Sequence, residues 1–312
     1  MATFSLVNYS LRTNKSIQRS LVFEGARLLK AGLKLSRIGY IGFGSLWFTD
    51  FLTAHKTLGI REMYSMEIDK IGFARAKFNR PFHTIDVRHG NCSDLLPKFL
   101  ASTEGAARPW LIWLDYDKGL DEEIVDDLRR VVEHAPENSI LVVTTNCKGL
   151  GRPNGRVTRL KSLLGGVVPD ELSTDQCQDD KIADTLLTIL TDFLTSSAAS
   201  IARPGGFLPA FRIAYQDGTP MITFGGMLPS RQNAEAAKKI VGSRAWTGIV
   251  SRPIALPPLT LREAAILQAQ LPRNRPLRKT DIRALGFDLE TEHVRSFEKF
   301  YRYYPFFAQI SV

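Results

Sequence analysis

The chain is predicted to fold as an α/β protein with a doubly wound, largely parallel sheet. Three observations predict it. Strand-like and helix-like segments alternate over about 130 residues of the N-terminal half, which is the rhythm of repeated βαβ units. The run Trp110-Leu111-Ile112-Trp113-Leu114 is wholly apolar, as a parallel strand covered on both faces must be. The first strand candidate runs into Gly42-Phe43-Gly44, a turn that lets a chain leave a sheet edge and enter a helix.

The elements follow in order. Residues 15–35 place Ile17, Leu21, Leu28 and Leu29 on one stripe and read as a helix. Ile38–Ile41 is the first strand, and Trp47–Leu58 a helix that Gly59 can close. Glu62–Glu67 reads as a second strand with a helix over Ile68–Phe78. Phe82–Arg88 reads as a third, with a short helix over Ser93–Leu100. After the 110–114 strand, Asp121–Glu133 is an acidic helix and Ser139–Thr144 a further strand.

Beyond residue 148 the alternation lapses. Gly149–Gly155 is rich in Gly, Pro and Asn and reads as a loop, and Asp179–Ala198 as a long helix. Phe207–Tyr215 and Met221–Phe224 form a hairpin candidate around Asp217-Gly218. Thr260 and Glu263 have capping-box spacing, so a helix should begin at Thr260. The tail Phe297–Phe307 is crowded with aromatics and is expected to dock. The chain divides into a helical lead-in (1–34), an α/β domain (35–225) and a basic, aromatic-rich α+β extension (226–312).

Composition narrows the function classes. No apolar run approaches the roughly 20 residues of a membrane-crossing helix, and residues 1–19 lack the apolar block of a secretory leader. Cys92, Cys147 and Cys177 are too few and too scattered for a disulfide scaffold and suit a reducing cytoplasm. His83 and His89 make no zinc pattern with them. Net charge is +9, with residues 1–100 carrying 15 basic and 7 acidic groups, 101–200 carrying 10 and 17, and 201–312 carrying 16 and 8. Two basic flanks around an acidic middle suit a nucleic acid or an acidic protein as partner. Arg273, Arg275, Arg278 and Lys279, near the aromatic tail, are the candidate nucleic-acid contacts. The alternative is solvated surface, or pairing with the acidic middle. No membrane partner is expected, and the oligomeric state is left open.

Three features stand in the order an adenosine-binding α/β half requires: Gly42 and Gly44 after the first strand, Glu67 closing the second with Asp69 behind it, and Gly90-Asn91-Cys92-Ser93-Asp94 after the third. A carboxylate at Glu67 can accept hydrogen bonds from both hydroxyls of a ribose. A dinucleotide fits less well, because the third glycine of Gly-x-Gly-x-x-Gly is replaced by Trp47, and no phosphate loop ends in Lys-Ser/Thr.

Residues 35–146 with these features resemble class I S-adenosylmethionine-dependent methyltransferases, and Asn8–Arg19 looks like the lead-in such enzymes place over the cofactor. The resemblance implies a Rossmann-like methyltransferase sheet and S-adenosylmethionine as cofactor. Gly42 and Gly44 would border its methionine portion, Glu67 its ribose, and Cys92 and Ser93 its adenine, with Asp115 also at the site. Asp115-Tyr116-Asp117-Lys118 is similar to the catechol-type O-methyltransferases, which implies Asp115 as metal ligand and Lys118 as general base. That family completes its metal site with an Asp-Asn pair where this chain has Thr145-Asn146. Asn146 remains a candidate ligand, and the lost carboxylate puts a divalent metal in doubt. Pro257-Pro258 is followed by Leu, and Cys147 follows Asn rather than the Pro of a Pro-Cys nucleophile, so neither amino-methylation nor cytosine C5 chemistry is indicated, and an oxygen acceptor is expected. The competing expectation is a non-catalytic methyltransferase-like subunit that binds nucleic acid or protein through its basic flanks.

Overall fold

The structure is a computed structural model, and it describes residues 12–305. Helix α1 (Thr13–Gly32) leads into β1 (Gly39–Gly42), α2 (Thr49–Leu58), β2 (Met63–Glu67), α3 (Lys70–Asn79), β3 (Ile85–His89), α4 (Cys92–Ala101) and the single turn α5 (Thr103–Ala106). Then come β4 (Trp110–Gly119), α6 (Glu122–His134), β5 (Ser139–Asn146), α7 (Pro153–Leu164), α8 (Ile182–Ser200), β6 (Leu208–Gln216) and β7 (Pro220–Leu228). Short helices α9 (Ala234–Val241), α10 (Leu261–Gln268), α11 (Lys279–Ala284) and α12 (Thr291–Phe300) complete the described chain.

The seven strands form one sheet in the order β3-β2-β1-β4-β5-β7-β6, with β1 to β5 parallel and β7 antiparallel to both β5 and β6. Apolar strands such as Trp110–Leu114 are buried throughout because each face carries its own core. One face packs against α4, α6, α7 and α8 through residues such as Leu96, Leu128, Leu160 and Leu190. The other packs against α1, α2 and the C-terminal helices through Ile17, Phe51, Leu267, Ile282 and Phe297.

Local signals set the element ends that reach the site. Asp69, Asn91 and Asp121 sit at the N-caps of α3, α4 and α6, where their side chains accept N–H bonds from Gly72, Ser93 and Ile124. Gly59 closes α2 in the left-handed region, and Thr260 with Glu263 forms the capping box of α10. Phe297 and Phe300 are buried, while Phe306 and Phe307 lie outside the described residues.

Three expectations need correction. The strand expected at 110–114 runs on to Gly119, shifting register against β5 after Asp115, so Asp115, Asp117 and Lys118 are strand residues rather than a loop before the acidic helix. The strand expected from Phe82 begins at Ile85. The Gly/Pro/Asn-rich stretch 149–155 opens a twelve-residue helix, α7, with Pro153 in its first turn. Proline lacks only an N–H that the first turn of a helix leaves unused, so it reads as a start as readily as a break.

Candidate active site

In this strand order the connections leave β1 and β4 toward opposite faces, and a crevice opens between them at the carboxyl ends of the strands. A cleft of about 460 Å³ lies there, within the range that holds a cofactor-sized molecule. Its walls come from the segment after β1, the ends of β2, β4 and β5, the turn after β3, the β6–β7 turn, and the first two turns of α1.

After β1 the chain contributes Phe43, Ser45 and Trp47. Ser45 and Phe48 both hold positive φ, 50° and 46°, a costly conformation for residues with side chains. Gly42 and Gly44, expected to border the cofactor's methionine portion, are not among the residues that line the cleft. Their glycines answer to the chain's own packing. A Cβ on Gly44 would meet Phe48 Cε1 and Ser65 Oγ at 2.6 Å, and one on Gly42 would meet the Tyr40 hydroxyl at 2.9 Å.

Glu67 ends β2 and is 9% exposed on the cleft wall, where its Oε1 accepts the Asp69 N–H at 3.2 Å. Burial, reinforced by the charge of Asp69, pushes its carboxyl above the ordinary glutamate value. On the turn after β3, Asn91 and Cys92 face the cleft, whereas Ser93 is not on its lining and gives its carbonyl to Arg130. Behind them Tyr116 donates to Asp127 at 2.7 Å. Burial raises both the Cys92 thiol and the Tyr116 phenol well above their usual values, so both are neutral hydrogen-bonding groups.

Asp115 lines the cleft from β4, and its Oδ1 lies 2.6 Å from Lys15 Nζ. Lys15 is itself buried, with its ammonium 5.7 Å from the Trp113 ring centre and 5.6 Å from that of Tyr215. One turn on, the buried Arg19 pairs with Asp50. The α1 backbone is held over the site by Asp217, which accepts the N–H groups of Asn14 and Lys15 at 3.4 and 2.7 Å. Arg12 lines the cleft from the same helix entrance, while the Asn8–Leu11 part of the anticipated lead-in lies outside the described residues.

Lys118 also lines the cleft, but its ammonium pairs with Asp121 at 2.6 Å and with Glu123. Burial works against its charge, yet these two carboxylates prevail and hold it above the ordinary lysine value. Glu123 in turn accepts from Asn91 Nδ2 at 2.6 Å, tying β4 to the turn after β3. Asn146 faces the cleft with its amide engaged: Nδ2 donates to the Asp117 carbonyl at 3.0 Å and Oδ1 accepts from the Lys148 N–H at 2.9 Å.

The residues present do not fit a hard divalent cation. Asp115 is committed to Lys15 and the Asn146 oxygen to a backbone N–H. Among the described residues no group of three or more His, Cys, Asp or Glu side chains could hold a metal.

The α1 residues Arg12, Lys15 and Arg19, with Asp50, Tyr215, Asp217 and Thr219, were not anticipated individually as wall residues. A signal existed: Lys15 and Arg19 are one turn apart, offset from the Ile17–Leu21 stripe, so α1 carries a polar row beside its apolar one. The four candidate nucleic-acid residues do not line the cleft. Arg273 and Arg275 reach Asp281 at 3.3 and 3.0 Å, the Arg278 N–H bonds the same carboxylate at 2.9 Å, and Lys279 lies 3.5 Å from Glu290.

Among solved structures, the chain is similar to Trm1 from Pyrococcus horikoshii in complex with S-adenosyl-L-methionine. That match has 13% identity and a TM-score of 0.45, covering 71% of this chain and 58% of that one. It is also similar to the plantazolicin methyltransferase BpumL in complex with SAH, at 9% identity and a TM-score of 0.43, covering 70% and 87%. This chain therefore spans little more than half the length of the Trm1 structure. No curated protein matches it. A model of the family described as "Putative O-methyltransferase" matches residues 7–312, nearly the full length, and the chain belongs to that family.

Proposed function

We propose that the cleft binds S-adenosylmethionine and directs its methyl group to an oxygen acceptor. The observation that carries this reading is the pair of carboxylates in one crevice on either side of β1: Glu67 at the end of β2, and Asp115 within β4 where its register against β5 shifts. Glu67, on the cleft wall, suits the ribose hydroxyls as an acceptor. The neutral Cys92 and Tyr116, with Asn91, suit the edge of an uncharged base. The paired Lys15 and Asp115 present both signs of charge to the cofactor's ammonium and carboxylate. The bound cofactor supplies a methyl already activated on a sulfonium, so the protein's task is to align donor and acceptor and to exclude water.

Lys118 is a positioning residue in this reading. A protonated amine cannot remove a proton, and its pairing with Asp121 and Glu123 keeps it protonated. It fixes Glu123 and, through Glu123, the Asn91 turn. No step is assigned to a metal. The alternative, a non-catalytic subunit binding through its basic flanks, finds less support at the C-terminal flank, where Arg273 and Arg275 pair with Asp281 and Lys279 lies near Glu290. Among the described residues no helix is long and apolar enough to cross a membrane.

The test is transfer of tritiated methyl from S-adenosylmethionine into fractionated lysate, separating nucleic acid, protein and small molecules. An oxygen acceptor predicts label in an ether or ester, with esters released by mild alkali. Label only on nitrogen or carbon, or none in any fraction, contradicts the reading.

A further inference from the structure

Helix α3 is apolar on both sides, which a helix at a protein surface ordinarily is not. Gly72, Phe73 and Ala76 face inward, while Ile68 just before the helix, Ile71 and Phe78 are 63%, 71% and 88% exposed. Ile71 and Phe78 are seven residues apart and Ile68 precedes Ile71 by three, so the three fall on one outward stripe. Trp47, 38% exposed, lines the same cleft as Ile68. Of the seven large hydrophobic side chains exposed among the described residues, four gather here.

Charge says what could cover this patch. Residues 70–79 contain Lys70, Arg75 and Lys77 and no acid, all three cations are exposed, and none forms an ion pair among the described residues. Arg80 follows at the helix end, also exposed. The nearest acid in sequence, Asp69, caps the helix by accepting the Gly72 N–H at 2.5 Å and forms no ion pair among the described residues. Arg273 and Arg275, by contrast, share the carboxylate of Asp281.

We propose that α3 and the Trp47 segment dock the mouth of the cleft onto an anionic lipid surface. Unpaired cations meet the headgroups, and Ile68, Ile71 and Phe78 enter the boundary with the acyl chains. Ile68 and Ile71 offer no π face for a base, so they suit acyl chains; Trp47 and Phe78 could also stack on bases, and an RNA complex is therefore one outcome of the test. Docking of this kind needs no crossing helix, and it stands independently of the methyl-transfer reading.

The experiment is cosedimentation of the full chain with phosphatidylcholine vesicles, with and without phosphatidylglycerol, at low and high salt. The expected result is binding to the anionic vesicles only, weakened by salt. The double variants Ile71→Ser/Phe78→Ser and Lys70→Glu/Lys77→Glu should each reduce it by roughly tenfold or more. All four positions are exposed, and an unchanged thermal unfolding midpoint separates lost docking from lost folding. No binding to anionic vesicles, or binding indifferent to both variants, overturns the proposal. So does a variant-sensitive dimer or RNA complex in its place. Calorimetry with S-adenosylmethionine on the same samples shows separately whether the cofactor reading holds.

Discussion

Glu67 is where burial and charge conflict in the cleft. Its carboxyl must be ionised to accept both ribose hydroxyls with its two oxygens, yet burial and Asp69 make ionisation harder. Affinity for S-adenosylmethionine should therefore fall on acidification, beginning above the ordinary glutamate range, and a Glu67→Gln variant should lose that pH dependence in calorimetric titrations. The same shift has a sign for stability. A carboxyl with a raised folded-state pKa costs stability once pH exceeds its unfolded value, so Glu67→Gln should leave stability in urea at neutral pH unchanged or raised. At Lys118 the account predicts that Lys118→Met raises KM for the cofactor while kcat falls less than about tenfold with an unchanged pH profile. A loss of about 10²–10⁴ in kcat would instead restore it as a base. Glu67 was legible as a cleft residue because it is the acid that ends the strand after the Gly42-Phe43-Gly44 turn, a position set by local sequence signals. Lys15 and Arg19 were not, since a helix cation is by default solvated. Their burial depends on Asp115 and Asp50, which lie 100 and 31 residues away.

The element that closes the cleft is α1, and side-chain bonds to distant backbone hold it. Asn14 Nδ2 donates to the carbonyls of Gln216 and Leu256 at 2.8 and 3.3 Å, and its Oδ1 accepts from the Leu256 N–H at 2.9 Å. Asn14→Ala would leave buried backbone groups unsatisfied and should cost about 1–3 kcal/mol in urea unfolding, with weaker cofactor binding as α1 loosens. The ends of β4 and of the segment after β5 are held by a different device. A Cβ on Gly119 would collide with the backbone of Gly149, so the two glycines let these segments cross. Gly119→Ala should destabilise by about 1–3 kcal/mol, read from the same urea transition. Parallel strands and their capped helices were readable because apolar runs and N-cap residues are local signals. Helix α7 was not, because Gly149–Gly155 contains both the loop and the helix start. Nor was the extension of β4 past Asp115, since its pairing with β5 is non-local.

At the scale of the molecule, residues of α1, the sheet and the C-terminal helices share one core, in which Ile17, Trp113, Leu277 and Phe297 belong to the same cluster. The lead-in, the α/β region and the 226–312 extension should therefore unfold in one cooperative transition, with far-ultraviolet and tryptophan signals coincident in urea. Two separated transitions would show an extension that folds on its own. That core places α1 across the open end of the sheet, and the central claim is that the resulting crevice is an S-adenosylmethionine site. Calorimetric titration of the full chain with S-adenosylmethionine and S-adenosylhomocysteine, beside Glu67→Ala, tests it most directly. The account predicts one site per chain, with binding lost or sharply weakened in the variant; absence of binding, or equal affinity in Glu67→Ala, would contradict it.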